Sequence, residues 1–368
     1  MKRLLFVLVF VLFALQSINA QEYRTYGKAR FQVLSSPESA NSYIVSEPGF
    51  YTLETVKGNS SQSVGKVASA AVLWESFGTS TTPRVGDLIK KVAYNNGYLY
   101  FQTADTFREG NAVIAVKDAN GRILWSWHIW LTDQPQGQEY FNNAGTMMDR
   151  NLGATSTAPG DAGALGLLYQ WGRKDPFLGS ASILSNNIAS STITWPSAVM
   201  SDSSNGTIAY VTANPMTFIM PNNSNRDWHY TGSDETDKTR WTTSEANKSI
   251  YDPCPAGWRV PDGGSNGVWS KALGSSSNFN NTYNSTNEGM NFSGKISSAS
   301  TIWYPASGYR YYYDGSLNDV GNSGFYWSAS PYNNNAYSLG FICYGEVDPS
   351  FYDFRANGLS VRCLQVID

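Results

Sequence analysis

Tyr311, Tyr312, Tyr313, Tyr332, Asn333, Asn334, Asn335, Tyr344, Phe351, Tyr352 and Phe354 crowd the stretch between Tyr304 and Cys363. The chemistry open to such residues is contact. Tyrosine offers a large ring for only two rotatable bonds, and asparagine supplies hydrogen bonds that adapt to a partner. Between them fall Gly308, Arg310, Gly315, Leu317, Val320, Gly321, Gly324, Tyr326, Trp327, Ser328, Leu339, Phe341, Val347, Pro349, Arg355, Gly358, Val361 and Cys363. These are turn glycines, apolar strand residues and a terminal cysteine. The second set has the character of a frame, and the first that of a surface carried on it. Tyr311, Tyr312, Tyr313, Tyr332, Asn333, Asn335, Tyr344, Phe351, Tyr352 and Phe354 are therefore the candidate ligand-binding residues.

Covalent chemistry has less to work with. The chain has 3 cysteines. Cys254 and Cys363 sit in frame-like contexts, CPAGW and SVRC, and are expected to pair. Cys343 falls among polar and aromatic positions as a surface thiol. A catalytic cysteine is the sharper alternative, but His128 and His229 are the only histidines and neither has a link to it in sequence. A hydrolase needs paired carboxylates, or a nucleophile with its base and orienting group. Glu346, Asp348 and Asp353 are close in sequence, yet fit solvated turns as easily. Asp227, Asp234, Glu235 and Asp237 could offer oxygens to a hard cation. They do not recur at alternate residues, so solvated loop charges are expected instead. The expectation is a protein that is not an enzyme and uses no cofactor or metal.

Composition narrows the class further. The chain has 368 residues, 15% of them charged, with a formal net charge of -3. Nucleic-acid binding is not expected, because no basic block supplies the charge that phosphates require. Aromatic residues at 14% and 33 glycines point to short strands and polar loops more than to helices. Residues 1–20 have the layout of a secretory signal peptide: Lys2 and Arg3, an apolar run from Leu4 to Leu15, then a polar stretch ending at Ala20. No cysteine follows that could carry a lipid, and no second apolar run is long enough to cross a bilayer. An exported protein, extracellular or on the cell surface, is expected.

The elements that must carry the candidate face can be read in outline. Residues 21–133 read as a mainly β unit, a sandwich of two sheets. Its clearest hairpin sets Asn111–Val116 against Arg122–Trp130 through Ala119-Asn120-Gly121. There Trp125, Trp127 and Ile129 share one face, with Leu124, Ser126, His128 and Trp130 on the other. Core packing is the expected use of these tryptophans, a sugar-stacking patch the alternative. His128 is expected at a sheet surface or domain junction. Residues 134–140 read as a linker, and residues 141–368 as an α+β domain. In it, Ala164, Leu167, Leu168 and Trp171 are spaced for one helical face ending near Pro176. Residues 179–250 read as long loops packed by Trp195, Trp228 and Trp241, and Val268–Leu273 as a second short helix.

From about Asp149 to Cys363 the segments MDRNLGA, LLYQWGRKDPF, CPAGWRVP, YPASGYR, GFYWSAS and RANGLSVRC resemble a bacterial family. It is the Fibrobacter succinogenes major paralogous domain of exported proteins, and the resemblance implies a C-type-lectin-like fold. The last segment is also similar to the variable proteins that retroelements diversify. Those carry randomised ligand-contacting positions on a C-type-lectin-like domain. This implies mutated adenines in Asn codons, yielding Asn, Tyr, Asp, Ser, Ile, Phe, Cys or Gly. Tyr311, Tyr312, Tyr313, Asn318, Asn322, Tyr332, Asn333, Asn335, Ile342, Cys343, Tyr344, Phe351, Tyr352, Asp353 and Phe354 all belong to that set. The chain departs from calcium-dependent sugar-binding lectins, which use Glu-Pro-Asn or Gln-Pro-Asp with Trp-Asn-Asp, and from formylglycine-generating enzymes, which need a cysteine pair for copper. Fold alone licenses no chemistry. What the resemblance implies is an adhesin-like binder of a protein or glycan ligand on another cell or surface. The alternative is a structural or tip subunit of a surface fibre.

Overall fold

The computed structural model describes residues 21–222, 224–230, 240–242, 247–274 and 282–366. The expected leader at 1–20 and the carboxylates Asp234, Glu235 and Asp237 lie outside the described residues. The protein is mainly β, with 39% of the described residues in strands and 5% in helices. No helix among the described residues is long and apolar enough to cross a membrane.

The N-terminal part forms two sheets. One holds, in order, Tyr23–Tyr26, Ala29–Val33, Phe50–Glu54, Tyr98–Thr103 and Ile89–Asn95; the other holds Ser42–Val45, Ile123–Leu131, Gly110–Lys117 and Ser69–Ser76. The expected hairpin is present, with Ile114 opposite Trp127 and Val116 opposite Trp125. Strand side chains alternate between faces, and that alternation divides the tryptophans. Trp125, Trp127 and Ile129 bury into a core with Tyr51, Leu53 and Phe101 of the other sheet. Trp130 faces the opposite way, into a second core that it shares with Trp74, Val113, Trp171, Trp241, Trp327 and Val361.

That second core joins the two parts of the chain. Polar groups cross the same junction: Asn41 Nδ2 donates to the carbonyls of Ile250 and Asp252, both at 2.8 Å. Asn111 Nδ2 donates to Gly153 O, and Trp130 Nε1 to Ala154 O, both at 2.9 Å. His128 sits beside this junction. It is buried, its Nε2–H donates to Asn111 Oδ1 at 2.8 Å, and its Nδ1 accepts from Ser42 Oγ at 3.0 Å. Burial pushes its pKa down to about 3, so it is a neutral packing residue at neutral pH. Residues 134–140 do not read as a free linker. Gly137–Tyr140 is a strand paired with Gly145–Met148, in a sheet that continues through Leu364–Gln365 to Trp258–Arg259.

The largest sheet runs in the order Phe177–Leu178, Leu167–Gln170, Gly358–Ser360, Ser323–Tyr332, Asn335–Ile342 and Val347–Phe354. Leu167–Gln170 is a strand where the spacing predicted a helix. All four of its residues are buried, and a strand covered on both faces loses the alternation that marks it in sequence. Gly166 and Gly172 bracket it at φ +73° and +84°, a conformation no helix continues through. Val268–Leu273 is helical as expected. A further helix, Ile208–Ala213, lies in the stretch read as loops; the Thr207 side chain caps it by accepting from the Tyr210 N–H.

Cys254 and Cys363 form the disulfide, with their Cα atoms 6.1 Å apart, and close a loop of 109 residues. Cys343 is free and half-buried. Serine at both paired positions is expected to cost about 4–5 kcal/mol on the chain-entropy account. A urea midpoint that does not move on reduction of the wild type would contradict this.

Candidate recognition face

The last three strands of the large sheet, Ser323–Tyr332, Asn335–Ile342 and Val347–Phe354, form a meander that carries most of the candidate residues. Its first turn is two residues long. Asn333 takes φ +47° there, a left-handed value that asparagine tolerates better than other residues with side chains. Tyr311, Tyr312 and Tyr313 lie on a second turn, between Tyr309–Arg310 and Leu317–Asn318.

Both turns hang from buried arginines. Arg355 donates from Nε to Asn335 O at 3.0 Å and from Nη2 to Asn333 O at 3.1 Å. Arg310 donates from Nη1 to Gly315 O at 2.6 Å, and from Nε and Nη2 to Leu178 O at 3.0 and 2.7 Å. A third hold comes from Asn357, whose Oδ1 accepts the Tyr312 N–H at 2.7 Å. In each case the frame grips main-chain atoms of the turn. The grip does not depend on which side chains the turn carries.

Beneath the first turn lies a buried ion cluster. Arg240 meets Asp227 in two bonds, at 2.9 and 2.5 Å, and Arg355 Nη1 reaches Asp227 Oδ2 at 3.3 Å. All three side chains are fully buried. Both guanidiniums stack on Trp171, at 4.8 and 4.6 Å. Asp227, expected as a solvated loop charge, is thus an interior anchor, because two guanidiniums replace its water. Trp228 and Trp241 are buried, as expected, and bond the carbonyls of Trp171 and Arg173 at 2.7 and 3.1 Å.

Burial separates the two sets of residues. Of the frame set, all but Val347 and Pro349 are buried, whereas each of the ten candidate residues is half-buried or exposed. Tyr313, Tyr344 and Tyr352 are the most open, at 68%, 86% and 48%. Rings touch in two groups. Tyr311 meets Tyr312 and Tyr313, and Tyr312 meets Phe354, at centroid distances of 4.7, 6.3 and 5.4 Å. Tyr332 meets Tyr352 at 4.6 Å. Tyr309 and Phe325, absent from the candidate set, connect them through Phe351, which meets Tyr352 at 6.1 Å, and Tyr337, also absent, extends the second group. Tyr309 bridges Tyr311 to Phe325, Phe325 meets Phe351, and Tyr337 packs on Tyr332. Tyr337 stands directly opposite Tyr352 in the register. Their half-burial hid these three in sequence, since they look like ordinary strand aromatics.

Tyr344 stands apart. It lies on the turn after Asn335–Ile342, and a strand of that length separates it from the Asn333 turn by about 25 Å. The last strand is the edge of the sheet, and three of its positions have no N–H to offer an added strand. Asp348 takes the Ser350 N–H, Asp353 takes the Phe354 N–H, and Pro349 has none to give.

No family model, curated protein or solved structure matches the chain. The functional reading therefore rests on this geometry.

Among the three acids near the meander, Glu346 and Asp348 are exposed, while Asp353 is half-buried and bonds Asn357 Nδ2 at 2.8 Å. Glu346 lies on the turn, whereas Asp348 and Asp353 are strand residues. Loss of hydration raises the Asp353 pKa from 3.8 to about 6. The folded protein then holds this proton more tightly than the unfolded chain does. Its contribution opposes folding above pH 6 and fades as pH falls from 6 toward 4. Asp353→Asn is expected to raise the unfolding midpoint at pH 7.5 and leave it unchanged at pH 4. Equal midpoint shifts at both pH values would contradict this.

Among the described residues, no group of three or more His, Cys, Asp or Glu is placed to hold a metal ion. His128 is committed to the junction, and His229 lies beside Trp228.

Proposed function

We propose that the chain is an exported, surface-displayed binding protein whose ligand meets the Tyr/Asn face of the C-terminal part. In this reading the two N-terminal sheets are a β-sandwich serving as spacer or attachment unit. The C-terminal part is a C-type-lectin-like domain of the kind its sequence segments resemble. The observation that carries the proposal is the division of labour around the two turns. Buried arginines and an asparagine hold the turns by main-chain atoms, and the side chains that project are large rings with exposed edges. Tyrosine-rich surfaces with a rigid base reach useful affinity without a deep pocket.

The same division supports retroelement diversification of the face. A support that grips only carbonyls and an N–H lets side chains at Tyr311, Tyr312, Tyr313 and Tyr332 change without loosening the turn. The test is capture by immobilised protein from a panel of glycans and intact cells, with Tyr313→Ala/Tyr352→Ala alongside. Capture that the double variant loses is expected. Capture that it retains in full would remove the proposal.

A further inference from the structure

Arg226 stands against the same rings, and its side chain is committed differently from those of its buried counterparts. Its backbone takes φ +52°, a costly conformation for a residue with a side chain. Its carbonyl accepts the Ala356 N–H at 3.1 Å, which ties the residue to the end of the meander. The guanidinium carbon lies 4.3 Å from the Phe354 ring centroid and 5.1 Å from that of Tyr312. Stacking of this kind orients the cation while leaving its in-plane N–H groups directed outward. Arg226 is exposed, and no carboxylate pairs with it among the described residues. Arg310 and Arg355, by contrast, are buried and bonded to carbonyls. The face thus holds an oriented guanidinium on Tyr312 and Phe354, with Tyr311 packed on Tyr312.

We infer that Arg226 and these rings form a receptor for an acidic sugar, its carboxylate held by the guanidinium fork. The inference rests on the face being a ligand-binding surface and adds the class of ligand. A planar fork matches a carboxylate in two parallel bonds. The tyrosine rings suit the C–H faces of a pyranose, and their hydroxyls suit its oxygens. The surroundings favour a sugar over an acidic protein surface. Asp314 lies close enough to Tyr311, and Asp319 and Asp353 to the neighbouring Tyr309, to act on them electrostatically. Several acidic side chains would be repelled there. A single carboxylate on an otherwise neutral polyol needs one cation, and its hydroxyls can donate to the aspartates.

The experiment titrates sialyllactose and galacturonate, each with a single carboxylate, against the full chain, with lactose and the methyl ester of galacturonate as neutral counterparts. At least one acidic sugar is expected to bind at least tenfold more tightly than its neutral form. Arg226→Gln should weaken that binding by about 10- to 100-fold at unchanged thermal midpoint, and Arg226→Lys, which lacks the fork, should fail to restore it. Acidic sugars that bind Arg226→Gln as they bind wild type would overturn the inference, as would equal binding of neutral forms. Capture of a hexa-aspartate peptide in place of any sugar would overturn it too. A glycan or cell that needs Tyr313 and Tyr352 but ignores Arg226 would overturn it and leave the face itself standing. Loss of the face would show instead as capture indifferent to the tyrosines.

Discussion

Asp227→Ala is expected to destabilise the protein by about 3–5 kcal/mol, more than any single change on the candidate face. Asp227 is fully buried and sits between Arg240 and Arg355, which are fully buried as well. Deleting the carboxylate leaves two like charges in the interior without the counter-charge that offset their lost hydration. Arg355 also carries the Asn333 and Asn335 carbonyls. Its rearrangement should loosen the first turn and weaken ligand capture, although the Asp227 side chain is itself fully buried. Asp227→Asn keeps the shape and loses the charge, so it should fall between wild type and alanine. Urea unfolding of the three proteins checks the order. A cost under about 1 kcal/mol for alanine would mean that the cluster is not what supports the turn.

The second large effect is on binding and leaves stability nearly untouched. Tyr313→Ala/Tyr352→Ala should reduce capture at least 100-fold, since exposed tyrosines that anchor an interface each contribute about 1–2 kcal/mol or more. Both rings are open to solvent, at 68% and 48%. Their loss should change unfolding free energy by no more than about 1 kcal/mol. Tyr344→Ala is the internal control. Tyr344 is the most exposed of the set, at 86%, but it lies at the other end of the meander. Its removal should leave capture through the two ring groups unchanged. A Tyr344 variant that loses capture as fully as the double variant would mean that the ligand spans the whole sheet.

How much of this could be read from residue types follows from what each residue answers to. The hairpin of Gly110–Lys117 with Ile123–Leu131 was legible because one face is apolar and the turn is Asn-Gly. The Cys254–Cys363 pair was legible from its contexts, and Val268–Leu273 from its short apolar pattern. Leu167–Gln170 misled because burial on both faces removes the period of two. Asp227 misled because its partners, Arg240 and Arg355, are distant in sequence; a charge in a polar loop reads as solvated until the fold brings its counter-ions. Arg226 was missed for the same reason: its meaning comes from Tyr312 and Phe354, which arrive from elsewhere in the chain. The face itself was legible as a set of residue types, since turn and strand periodicity separates projecting from buried positions. The links through Tyr309, Phe325 and Tyr337 and the separation of Tyr344 follow from strand register, which residue types do not carry.

The most direct measurement randomises two sets of positions in parallel and scores folding by protease resistance on a display platform. One set is Tyr311, Tyr312, Tyr313, Tyr332, Tyr344 and Tyr352; the other is Arg310, Trp327, Leu339, Arg355, Asn357, Gly358 and Val361. If the turns are held by main-chain atoms from below, most members of the first library should remain folded and few of the second should. Comparable loss of folding in both libraries would contradict the account, because the tyrosines would then be part of what holds the molecule together.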